Sequence, residues 1–256
     1  MRIVLLLCAL AMPLVAVFAQ RGAFGPTNGV VSEQFPTLLA AQGYAFSVWG
    51  LIFALDLVFG VWQGRPRQHD DEVLARIRAP AAAGFAASAA WMPIFSQRLF
   101  WLALLVIWVA LACLVHCAIQ LSRAEDTRPG RSAWAWIPLS LHAGWLSLAA
   151  FLNTAQVIVA HRLLPVDAML PWSAALFACA ACLLLVANHR MRGNAAYAAV
   201  AIWGLAAVHA RQSTAALAGA GTAAWIAAAL AVLLAGQTAW LRLRHRRARE
   251  RRGRMR

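Results

Sequence analysis

The chain alternates long apolar runs with short polar breaks, and this pattern predicts eight helices. The runs cover residues 3–19, 43–62, 79–95, 100–121, 134–160, 169–187, 195–210 and 221–241. A helix rises 1.5 Å per residue, so about 20 apolar residues cross roughly 30 Å of hydrocarbon. The run at 79–95 is the least typical, being rich in Ala and interrupted by Pro93. Proline is tolerated there because neighbouring helices satisfy the backbone groups it frees. No run shows the short period-two alternation of a membrane β-barrel. The longest polar stretch, 64–78, is too short for a core of its own. The expectation is an all-α, polytopic transmembrane bundle.

Composition agrees with this pattern. Of 256 residues, 62% are hydrophobic and 12% charged, with a mean hydropathy of +0.66, where soluble domains carry about 25% charged residues. All 23 basic Lys/Arg residues are Arg. If eight spans alternate from a cytoplasmic amino terminus, the inner segments hold Arg2; Arg65, Arg67, Arg76 and Arg78; Arg123, Arg128 and Arg131; Arg190 and Arg192; and the nine from Arg242 to Arg256. The outer segments hold only Arg21, Arg98, Arg162 and Arg211. Cytoplasmic loops retain positive charge, so a bacterial inner-membrane protein with a cytoplasmic carboxyl terminus is expected. The first run also suits a secretory signal ending at Val17-Phe18-Ala19; a retained helix is the preferred reading.

The net charge of +14 suggests nucleic acid until its position is considered. Nine Arg follow the last span directly, with neither aromatic interleaving nor a folded module. Attraction to anionic lipid headgroups and a plain topology anchor are the readings kept for residues 242–256; no nucleic-acid partner is expected. Cys113 and Cys117, and Cys179 and Cys182, sit one turn apart on two spans and read as small apolar residues in buried helices. No metal site is expected.

Polar side chains inside a membrane are costly and usually face the bundle interior. At 100° per residue His142, Trp145, Ala149 and Asn153 fall within roughly 80° of arc, and Gln156 extends the stripe. Trp49, Phe53 and Asp56 align on the second span, and Ser88, Trp91 and Phe95 on the third. Trp101, Trp134, Trp136, Trp172 and Trp240 lie near span ends and are assigned to the interfacial belt. For Trp49, Trp91 and Trp145 a site and plain packing stand level. Asn153 reads as an interhelical hydrogen-bonding residue. Asp56 is the one acid well inside a span, with His142 as a candidate partner.

Three of these segments carry a family resemblance. Gly43-Tyr-Ala-Phe46-Ser-Val-Trp49-Gly-Leu-Ile-Phe53 resembles the second helix of the TspO/translocator protein family, the tryptophan-rich sensory proteins. Ser88-Ala-Ala-Trp91-Met-Pro93-Ile-Phe95 is similar to that family's third-helix Trp-x-Pro-x-Phe segment. Trp145-Leu-Ser147-Leu-Ala149-Ala-Phe-Leu152-Asn153 is similar to its fifth-helix pattern. The chain departs from the pattern at Ala-Gln-Gly-Tyr44, where the family has Pro-Pro-Gly-Trp, and has one residue fewer before Trp49. Ser88 stands where the family has Asn, and Pro138 lies seven rather than four residues before Trp145.

The resemblance covers about residues 3–160. It implies a five-helix unit over 1–164, extended by three further transmembrane helices over 165–241 and the basic tail 242–256. It also implies a pocket for a flat hydrophobic ligand such as a porphyrin or haem, used in sensing or transport, with no cofactor required. With the stripes, the candidate ligand-binding set is Phe46, Trp49, Phe53, Ser88, Trp91, Phe95, His142, Trp145 and Asn153, all within the first five helices. A homodimer is left open.

The alternative is a small proton-coupled secondary transporter that uses all eight helices, with Asp56 and His142 as proton relay. No inverted repeat is visible to support it. An enzyme is not expected, as the sequence shows no metal-ligand spacing, no Ser/His/Asp cluster and no paired intramembrane carboxylates.

Overall fold

Each of the eight apolar runs forms a helix in the computed structural model, which describes residues 1–124 and 128–254. They are α1 (Arg2–Gln20), α3 (Val48–Gln63), α4 (Glu72–Ser96), α5 (Phe100–Arg123), α6 (Ile137–Ala160), α7 (Leu170–Arg190), α8 (Ala195–Gln212) and α9 (Ala220–Arg254). A 3-10 turn at Gly43–Ser47 leads into α3, and a π-helical turn at Ser132–Trp136 leads into α6. Among the described residues there is no strand.

Two boundaries differ from the sequence reading. Helix α4 begins at Glu72, inside the stretch expected to be loop, because Asp71 caps it: its carboxylate accepts from the Leu74 N–H at 3.0 Å. A short helix, α2 (Asn28–Gln34), was not expected; the Thr27 side chain caps it by accepting from Val30 N–H. Helix α9 runs unbroken into the basic tail as far as Arg254. Arg256, one of the nine tail arginines, lies outside the described residues.

Six of the eight helices are long and apolar enough to cross a membrane: α1, α3 with its leading turn, α5, α6 with its π turn, α7 and α9. The two that fall short, α4 and α8, lie against neighbours on both sides. Helix α4 packs on α1 and α5, and α8 lies between α6 and α9. Twelve of the 25 residues of α4 and nine of the 18 of α8 are buried. A helix screened from lipid needs less apolar surface, which explains why both carry Arg and other polar side chains. Helix α6 is the hub, with 67% of its span buried against 22% for α1.

The core is continuous from α1 to α9 and does not break between the first five helices and the last three. Small residues let the helices approach closely. A Cβ on Gly144 of α6 would lie 2.5 Å from the backbone oxygen of Tyr197 on α8, and one on Gly60 of α3 would lie 3.2 Å from the Ala9 side chain on α1.

At one end of the bundle the amino termini of α4, α6 and α8 and the carboxyl termini of α3, α5, α7 and α9 gather most of the arginines. There the buried Asp71 receives two bonds from Arg131, Nη2 at 2.6 Å and Nε at 3.1 Å. Arg78 donates to the Gln68 carbonyl at 2.7 Å and to Gln63 Oε1 at 3.1 Å. These charge-assisted bonds pin the polar connection between α3 and α4. At the opposite end α4 and α6 terminate on Arg98 and Arg162, which take the left-handed conformation usual for glycine (φ 59° and 49°).

Candidate functional site

A cavity of about 300 Å³ opens near the arginine-poor end, between α1, α3, α4 and α6. Its walls are aromatic because the stripes on three helices converge. Phe46, Trp49 and Phe53 come from the α3 region, Ser88, Trp91, Met92 and Phe95 from α4, and Trp145, Ala149, Leu152, Asn153 and Gln156 from α6. Trp49 stacks on Phe53 at 5.0 Å and meets Trp145 edge to face at 5.9 Å. Trp91 stacks on Phe95 at 4.9 Å, and Phe46 meets Trp145 at 5.8 Å. Eight of the nine candidate ligand-binding residues therefore line one space.

The ninth, His142, does not reach the wall. It is fully buried one layer behind it, because α6 turns its imidazole toward α3 and α4. Its Nε2 lies 3.2 Å from Ser88 Oγ, and its Nδ1 lies 2.7 Å from Asp56 Oδ2. Phe85 stacks on the ring at 5.9 Å, and Trp49 lies perpendicular to it at 5.6 Å. Asp56 is likewise fully buried. The expectation that the chain has no Ser/His/Asp cluster is thus corrected: Ser88, His142 and Asp56 form one. The three residues sit on α4, α6 and α3, too far apart along the chain for any linear motif to show them together.

Asn153 makes the interhelical bond expected of it, accepting from Trp91 Nε1 at 2.9 Å. The indole N–H of Trp145 is buried in the wall and has no hydrogen-bond partner. On the far side of the network Phe59 and Phe85, both fully buried, meet edge to face at 6.3 Å and close the bundle toward the arginine-rich end.

The mouth is covered by the connection from α1 to α3, which lies on α4, α6 and α8. Gln156 Nε2 donates to Ser32 Oγ at 2.7 Å, and Ser96 Oγ donates to Asn28 Oδ1 at 2.7 Å, holding α2 in place. Gln212 of α8 donates to the carbonyls of Thr37 and Ala40 at 3.2 and 3.0 Å. Arg211 of α8 and Glu33 of α2 stand among the lining residues at this mouth. The sequence reading counted Arg211 only as a topology charge; its position at the end of α8, beside a helix that packs on α6, was its one usable signal. The cavity is therefore not confined to the first five helices.

The remaining assignments sort by exposure. Trp101, Trp134 and Trp240 are exposed, as belt residues should be. Trp172 is not one of them: it is buried and donates to the Pro165 carbonyl at 2.9 Å, which fixes the entry into α7. Trp136 is partly buried and donates to Ser122 Oγ at 2.9 Å. Cys179 and Cys182, expected in a buried face, are exposed on α7. Among the described residues no group of His, Cys, Asp and Glu has the arrangement of a metal site.

Comparison with known proteins agrees with the helical pattern. A family model described as TSPO-like protein matches residues 2–240, a span that runs past the motif-bearing helices through α7, α8 and most of α9. No curated protein and no solved structure matches the chain.

Proposed function

The chain belongs to the TSPO-like protein family, and on that premise we propose that this membrane protein binds a flat, hydrophobic, porphyrin-like ligand in the aromatic cavity, for sensing or transport. The observation that carries the reading is the convergence of Trp49, Trp91 and Trp145 from three helices on one space. Aromatic walls suit a planar apolar molecule, since ring contacts add about 0.5–1.5 kcal/mol per pair beyond buried area. A volume of about 300 Å³ is at the lower end of ligand pockets, so a macrocycle would extend through the mouth beneath α2. There Arg211 supplies a cation and Glu33 an anion for polar substituents. The unpartnered Trp145 N–H offers one buried donor to an acceptor on the ligand.

The alternative of proton-coupled transport keeps one point in its favour, the direct contact of Asp56 with His142. Against it, neither Asp56 nor His142 lines the cavity, and the fully buried Phe59 and Phe85 pack beside the pair. For the tail, attraction of its arginines to anionic headgroups, at about 1 kcal/mol per residue near the surface, supports a peripheral lipid contact.

The test is a porphyrin titration of detergent-solubilised protein, read by quenching of Trp fluorescence. Trp145→Ala is expected to weaken binding severalfold or more, while Trp240→Ala, at the lipid surface, leaves it unchanged. Tight binding that survives replacement of Trp49, Trp91 and Trp145 together overturns the reading.

A further inference from the structure

We propose that Ser88, His142 and Asp56 form an acyl-transfer site in the cavity wall, which makes this protein an intramembrane hydrolase of apolar carboxylic esters. The proposal takes the cavity as geometry only and stands whether or not a porphyrin binds there.

Three observations carry it. First, the groups are ordered as nucleophile activation requires, with hydroxyl, imidazole and carboxylate in line at 3.2 and 2.7 Å. When Asp56 is ionised its Oδ2 accepts from Nδ1–H, which leaves Nε2 to accept from the Ser88 hydroxyl. Second, the ring is held in place, because both nitrogens have partners and Phe85 and Trp49 pack against it at 5.9 and 5.6 Å. Third, the hydroxyl end of the line is the end that meets the cavity, where Ser88 is a lining residue and His142 is not. A network that served only to neutralise Asp56 has no need of a hydroxyl at the wall. The same wall holds the buried Trp145 N–H, unpartnered and available to an oxygen that gains negative charge.

The reaction needs water and an ester and no other reagent. Ser88 Oγ attacks the ester carbonyl carbon, forming the Oγ–C bond, while the hydroxyl proton passes to His142 Nε2. The C–O bond to the alcohol breaks, and that proton goes to the departing alkoxide. Water then attacks the acyl-serine, gives its proton to Nε2 and releases the acid; the proton returns to Ser88. Ser88 and His142 are the catalytic residues, and Asp56 is a positioning residue that fixes the tautomer. The aromatic walls select an ester with a flat or aliphatic apolar body.

The experiment uses the full chain in detergent and an alkyl fluorophosphonate. With this reagent Oγ bonds to phosphorus, fluoride leaves and the hydroxyl proton passes to His142. Near-stoichiometric labelling is expected, mapped by mass spectrometry to Ser88, absent in Ser88→Ala and unchanged in Ser132→Ala, an exposed serine away from the cavity. In His142→Gln it slows by about 100-fold or more, the usual span of a general base. With a medium-chain p-nitrophenyl ester, Asp56→Asn is expected to lower kcat at least about tenfold at nearly unchanged KM. Monodisperse wild-type protein that neither takes the label nor accumulates an acyl group on Ser88 overturns the proposal, independently of how any variant folds. Equal labelling rates in folded wild-type and His142→Gln also overturn it, since they would mark an ordinary exposed hydroxyl. A porphyrin titration of the same preparation keeps the two readings apart: lost porphyrin binding with labelling intact strikes only the binding reading.

Discussion

Asp56 and His142 are 86 residues apart along the chain and touch at 2.7 Å, both fully buried. A double-mutant cycle of Asp56→Asn and His142→Gln, read as thermal stability in detergent, is expected to be non-additive by about 0.5–3 kcal/mol, with the second change partly offsetting the first. Additive losses would mean that the contact does not hold in solution. At this scale the sequence showed which residue types were out of place in a membrane, and the helical stripes showed which of them share a face. It assigned His142 to the ligand wall because His142 and Trp145 lie on one stripe. A stripe also has length: His142 lies within the arc that Trp145 and Asn153 span, but it sits about 4.5 Å deeper along the axis than Trp145. There it meets Asp56 of α3 and Phe85 of α4 and does not line the cavity. Ser88 was noted as a departure from the family's Asn, but its use as a partner for His142 had no linear signature.

Helices here are specified by apolar length and placed by small residues. The close approach of α6 to α8 depends on Gly144, where a methyl group would sit 2.5 Å from the Tyr197 oxygen and 2.6 Å from Val200. Backbone oxygen does not yield as a side-chain tip does, so the two helices would have to separate. Gly144→Ala is therefore expected to cost about 1–3 kcal/mol, the usual penalty for overpacking, while Gly221→Ala, with open space around it, is expected to be neutral. Equal melting temperatures for the two variants in detergent would refute this. The apolar runs located all eight long helices, because length and hydropathy are local properties. Helix α2 was missed because its seven residues carry no apolar periodicity; its cap at Thr27 and its anchors, Gln156 and Ser96, hold it in place. The start of α4 was misplaced because the apolar run begins later than the cap.

For the molecule as a whole, the arginines predict an orientation. Reporter fusions after Arg78, Arg131 and Arg192 are expected to read cytoplasmic, and fusions near Gly29, Leu164 and Ser213 external; a cytoplasmic signal at Leu164 would contradict the assignment. The geometry is consistent with one shared face, since Arg2 reaches His69, Arg123 reaches Arg190 and Arg131 reaches Asp71, all at the same end. The sequence by itself determined that the chain is a helical membrane bundle, where its long helices run, and which residues are too polar or too aromatic for lipid. Those are consequences of hydrophobic thickness and helical period, which act along the chain. Only the tertiary structure decided that α8 reaches the cavity mouth, where Arg211 is a lining residue and Gln212 holds the covering connection. The same holds for the removal of His142 from the wall and its placement between a carboxylate and a hydroxyl. Such contacts depend on the rotation and depth of each helix against its neighbours, set by close packing at residues such as Gly144, and no spacing along a single chain encodes them.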